Sequence, residues 1–109
     1  MKIITVCGSL RYRDEIIRIT EKMALQGNCM LSMVYPTEHA YTREEKELLR
    51  NMHKERIKLS DAILVVDIDN YIGRNTKSEI EFAEYSKKEI IYYSDIAAAL
   101  DRETKETVS

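Results

Sequence analysis

Glycine is scarce in this chain, with three in 109 residues. Gly8, Gly27 and Gly73 lie too far apart to build a Gly-x-Gly-x-x-Gly turn or a Gly-x-x-x-x-Gly-Lys-Ser/Thr loop, which disfavours the dinucleotide-binding and nucleoside-triphosphate-hydrolase readings that rest on them. The two cysteines, Cys7 and Cys29, sit in apolar runs without Cys-x-x-Cys or Cys/His zinc spacing, so buried thiols are expected rather than a disulfide or a metal site. His39 and His53 also lack ligand spacing, and neither a metal nor a cofactor is expected. Charge of one sign is not in excess: 17 basic residues face 19 acidic ones, for a net charge of -2. That balance provides no general basic field for a nucleic-acid backbone, whereas a small anionic ligand needs only a local pocket. No apolar run approaches the length of a membrane span, and Met1-Lys2 followed by a short strand-like run is unlike a signal peptide. A cytoplasmic protein with no membrane or nucleic-acid partner is expected.

What is present is an alternation of strand and helix patterns within one domain. A strand over Ile3 to Cys7 is followed by helical spacing at Ile16, Ile19, Thr20, Met23 and Ala24, with Gly27 as the stop. Cys29 to Val34 reads as a second strand ended by Pro36, and Thr37 to Tyr41 as a polar loop. Thr42 and Glu45 make a capping-box pattern, and Leu48, Leu49, Met52 and Leu59 are expected to form the inner stripe of a long helix. Ala62 to Val66 is continuously apolar, as in a parallel strand covered on both faces. A third helix is expected from about Thr76 to Lys87, with Ile80 and Ala83 inward and Glu84 paired to Lys88 outside. Glu89 to Tyr93 reads as a fourth strand, Ser94 to Leu100 as a last helix, and Asp101 to Ser109 as a frayed tail. Strands separated by helices predict a small α/β Rossmann-like (flavodoxin-like) parallel sheet with helices on both faces.

The densest signal runs from Asp61 to Ala83. There the apolar strand ends in Asp67, crosses a loop through Tyr71 and Gly73, and opens a helix carrying Glu79. In open α/β sheets the ligand crevice lies at the carboxyl edge of the strands. Glu79 is thus a candidate for chemistry, beside the plainer reading that an acid in a first turn complements the helix dipole.

Cys7-Gly8-Ser9-Leu10-Arg11 after the first strand, Ser60-Asp61 before the third, and Gly73 through Glu79-Ile80-Glu81-Phe82-Ala83 resemble the nucleoside 2-deoxyribosyltransferase family and its relatives that hydrolyse deoxynucleoside 5'-monophosphates. The resemblance covers Met1 to Tyr93. It implies that Glu79 attacks the anomeric carbon of a 2-deoxyribosyl group and that the glycosyl-enzyme intermediate passes to another base or to water. A helix N-terminus is expected to keep Glu79 ionised near neutral pH. Gly8, Ser9, Leu10 and Arg11 fall where the monophosphate-cleaving relatives hold the 5'-phosphate; a surface arginine after a helix cap is the other reading of Arg11. His53 stands where the family carries an aspartate, and either serves as acid, base or phosphate contact or is an ordinary helix histidine. Glu81 replaces a frequent glycine. Tyr71 beside the crevice can stack on a base, Asp69 can contact base or ribose, and Gly73, Asn75 and Thr76 border the same helix start. The resemblance also implies a homodimer or higher oligomer. The alternative reading is a nucleotide-binding or sensing module on the same fold, without turnover.

Overall fold

The computed structural model describes residues 1–108, with side chains described through residue 102. Four strands, β1 (Ile3–Gly8), β2 (Cys29–Leu31), β3 (Ala62–Val66) and β4 (Glu89–Tyr92), form one all-parallel sheet in the order β2-β1-β3-β4. Four helices connect and flank them: α1 (Arg13–Leu25), α2 (Arg43–Leu59), α3 (Arg74–Tyr85) and α4 (Tyr93–Val108). This is the expected small Rossmann-like α/β fold. The chain moves outward from β1 to β2, then returns to β3 and moves the other way to β4, so the strand order reverses between β1 and β3. That reversal is where such sheets open a ligand crevice.

Alternation along the strands divides the core between two faces. Ile4, Val6, Leu64 and Val66 pack with Ile16, Ile19 and Met23 of α1 and Leu100 of α4. Cys7, Ile63 and Val65 point the other way, against Ile57 of α2 and Ile80 and Ala83 of α3. All five residues of β3 are buried, which matches a strand covered on both sides. The β1–α2 contact is pinned by hydroxyls: the Oγ atoms of Thr5 and Ser60 touch, and both donate to the carbonyl of Arg56, at 3.0 and 2.8 Å. Gly8 suits a close approach, since a Cβ there would lie 3.0 Å from Ile16 Cδ1 and 3.3 Å from Val66 Cβ and would force these neighbours to give way.

Several local expectations are corrected. β2 ends at Leu31 rather than Val34, because its pairing with β1 stops at Thr5 and the chain then leaves the sheet. The Thr42/Glu45 capping box is present, but the inner stripe of α2 is displaced by one residue. Leu48, Met52 and Leu59 are exposed, while His53 and Ile57 are buried. Leu49 faces inward as expected, and His53 and Ile57 join it in place of the exposed residues, since a shift of one residue turns a helix by about 100°. Helix α3 opens at Arg74 and closes at Tyr85, where Lys87 adopts a left-handed φ of 59°. Lys88 therefore lies beyond the helix, and its ammonium donates to the Lys58 carbonyl rather than pairing with Glu84. Helix α4 begins at Tyr93 and continues to Val108, through residues expected to fray; Ser109 and the side chains of 103–109 lie outside the described residues.

Asp67 closes the top of β3 onto α4. Its two carboxylate oxygens accept from the Ser94 amide at 2.8 Å and the Ser94 hydroxyl at 2.6 Å, and the residue is buried. Its role is to cap α4. Asp67→Ala is expected to cost about 1–3 kcal/mol, because two donors lose a charged acceptor. Chemical denaturation measures this, and a loss under about 0.5 kcal/mol, the range of neutral surface changes, would remove Asp67 from the account.

Candidate functional site

Three elements bring one polar side chain each to a common point on the α2/α3 face of the sheet. Cys7 comes from β1, His53 from the middle of α2 and Glu79 from the second turn of α3. Cys7 Sγ lies 3.6 Å from His53 Nε2, which in turn lies 3.8 Å from Glu79 Oε2. Cys7 and His53 are buried, and the Glu79 side chain is 17% exposed. The other ring nitrogen of His53 accepts from Arg56 Nη1 at 3.1 Å. A guanidinium has no acceptor, so this bond assigns the lone pair to Nδ1 and the proton to Nε2.

The electrostatics of the cluster follow from its burial. Burial lowers the pKa of His53 from 6.5 to about 4, the adjacent Arg56 charge adds to that, and the Val6 backbone acts the other way. Burial also raises Glu79 from 4.5 to about 7, partly offset by a hydrogen bond from Cys7. Cys7 is pushed well above its ordinary 9.0, first by burial and then by the nearby Glu79 charge. The expectation that a helix terminus keeps Glu79 ionised is thus corrected. Glu79 is the sixth residue of α3, beyond the free amides of the first turn, so desolvation outweighs the dipole. At neutral pH His53 is uncharged and Glu79 is close to half-ionised, so their approach is not an ion pair. Arg56→Met is expected to raise the His53 pKa part of the way toward 6.5, since the Arg56 charge goes but burial remains. An NMR titration of the ring measures it, and an unmoved midpoint would show that Arg56 does not act on His53.

Above this cluster opens a cavity of about 500 Å³, within the range of small-molecule sites. Gly8, Ser9 and Leu10 form one side at the end of β1, and Tyr71, Gly73, Asn75 and Thr76 form the other at the start of α3. His53 and Glu79 form its floor. Of the residues proposed from sequence, only Arg11 and Asp69 stand outside the lining. The Arg11 guanidinium instead sits 4.2 Å from the centre of the Tyr71 ring, a cation–π contact, and Tyr12 meets the same ring at 6.1 Å. Asp69 is exposed and lies in a short 3-10 turn with a left-handed φ of 52°.

The structure adds four cations that the motif reading missed. Lys46, Arg50 and Arg56 of α2 and Arg74 of α3 all line the cavity. The spacing Lys46, Arg50, His53, Arg56 places these residues along one helical face, which was the signal available in the sequence. Apolar Leu48 and Met52 drew the inner face elsewhere.

The ligand atoms of Cys7, His53 and Glu79 lie within 4.8 Å of one another, near enough to suggest a metal site. The second ring nitrogen argues against it. A metal-bound imidazole usually donates its free N–H to an acceptor, whereas His53 Nδ1 faces a donor and Nε2 holds the proton. The cluster fits a hydrogen-bonded group better than a set of ligands.

The fold and site together define a small Rossmann-like α/β protein with a carboxylate-floored, cation-lined crevice at the strand-order reversal. No family model matches the chain, and no curated protein matches it. Among the described residues, no helix is long and apolar enough to cross a membrane.

Proposed function

We propose that the cavity binds a 2-deoxynucleoside 5'-phosphate and that Glu79 carries out chemistry at its N-glycosidic bond. The observation that supports this most is the position of Glu79: a carboxylate at the floor of a cavity whose other charged lining residues are all cations. In this reading the ionised carboxylate oxygen forms a bond to the anomeric carbon as the carbon–nitrogen bond to the base breaks, and the base leaves with a proton from solvent. Water or a second base then displaces Glu79. The resemblance to 2-deoxyribosyltransferases and monophosphate hydrolases supports the substrate class, and the cations favour the phosphorylated substrate.

Two observations favour a binding module without turnover. Glu79 is the one carboxylate among the described lining residues, and His53, with a pKa of about 4, holds no acidic proton at neutral pH to give a leaving base. Incubation with a panel of 2-deoxynucleosides and their 5'-monophosphates, with and without an acceptor base, separates the two. Released base, or a new nucleoside, that is lost in Glu79→Gln supports the enzyme. Binding without any product supports the module.

The oligomer implied by the resemblance belongs to the same proposal. Leu48 and Met52, one turn apart on α2, are large, apolar and exposed, and could contribute to a subunit contact. A sedimentation mass of a single chain would rule the homodimer out.

A further inference from the structure

We propose that the ligand presents at least two phosphate groups, held by the row of cations along α2 and by Arg74. The inference rests on the nucleotide reading above and narrows its substrate class. Lys46, Arg50 and Arg56 each face the cavity, and a rise of 1.5 Å per residue spreads them over about 15 Å of helix. A single phosphate is a few ångströms across and reaches only part of that row. Successive phosphates reach more of it.

Charge balance points the same way. Among the described residues none of the four cations forms an ion pair, so each charge is available to an anionic ligand. The chain as a whole is net negative, at -2, yet four cations surround one half-ionised acid in this cavity. Lys46 and Arg50 stand one turn apart, where like charges repel, and an anion seated between them relieves that repulsion. The guanidiniums of Arg50, Arg56 and Arg74 suit forked contacts to phosphate oxygens, and the Lys46 ammonium adds a point charge. With no glycine-rich phosphate loop in the sequence, side-chain cations take the place of backbone amides. The shared chemistry is a diphosphate group, terminal in a nucleoside diphosphate or internal in a dinucleotide.

Calorimetric titration tests this with a 2-deoxynucleoside mono-, di- and triphosphate of one base, a dinucleotide joined through a diphosphate, and inorganic pyrophosphate. The diphosphate is expected to bind at least about tenfold more tightly than the monophosphate, the gain from one or two further charge-assisted bonds. Lys46→Ala with Arg50→Ala is expected to bring the two affinities together; both residues are exposed, so the variant should fold, and its melting curve checks this. Tighter binding of the dinucleotide than of the diphosphate identifies the internal form and supports the proposal. Equal affinity of mono- and diphosphate overturns it and leaves the nucleotide reading standing. Pyrophosphate binding that depends on Lys46 and Arg50, with no nucleotide bound, supports the charge row and overturns the nucleotide reading. Binding of none of the five overturns both.

Discussion

Glu79→Gln is expected to reduce turnover of a 2-deoxynucleotide by at least about 1000-fold, while ligand affinity changes by less than about tenfold. The amide keeps the shape and hydrogen-bonding reach of the side chain but cannot donate an electron pair to the anomeric carbon. The surrounding lining, including His53, Thr76 and the four cations, is unaltered, so binding has no reason to collapse. Because only the carboxylate attacks and its pKa is about 7, the wild-type rate should also rise with pH through that value. Rate measurements on wild type and variant across pH 5–9 address both claims together. A variant retaining more than about a tenth of the wild-type rate would exclude Glu79 as the nucleophile.

The same substitution is expected to stabilise the protein, and the gain depends on pH. Glu79 has a folded pKa of about 7 against 4.5 when exposed, so between these values the folded chain holds a proton that the unfolded chain has released. Stability from this group is fully present below pH 4.5 and is lost as pH rises through about 7. The loss is about 3 kcal/mol at 1.36 kcal/mol per pKa unit. Gln stays neutral throughout, so the variant's advantage should be near zero at pH 4 and about 3 kcal/mol at pH 8. For a domain of this size that is a rise in melting temperature of more than about 10 °C. His53 has the opposite sign: its depressed pKa contributes stability that is present above pH 6.5 and lost as pH falls through about 4. In the wild type the two slopes oppose each other between pH 4.5 and 6.5. In Glu79→Gln the His53 slope is no longer opposed, and the melting temperature should fall steadily on acidification. Parallel curves for wild type and variant from pH 4 to 8 would show that Glu79 is not desolvated as described.

Loss of function with gain of stability in one variant is the expected pattern where a charged group is buried for chemistry. It also separates a functional carboxylate from a structural one. A structural acid such as Asp67, held by Ser94, should lose stability on replacement.

The sequence by itself determined the architecture. The continuous apolar run of β3, the helical spacing of Ile16, Ile19 and Met23, and the capping box at Thr42 each depend on local periodicity, and they agree with one another. The placement of Gly8, Ser9, Tyr71, Gly73 and Glu79 at one strand edge followed from the same order. Tertiary structure decided the rest. Which face of α2 turns inward depends on how its second half crosses the sheet, and an apolar stripe displaced by one residue misread it. The cations of that helix became visible only once α3 stood opposite them. Above all, the state of Glu79 was decided by residues distant in the chain. Cys7 and His53 pack beside it, and desolvation of a carboxylate is set by what surrounds it in space rather than by its position in a helix.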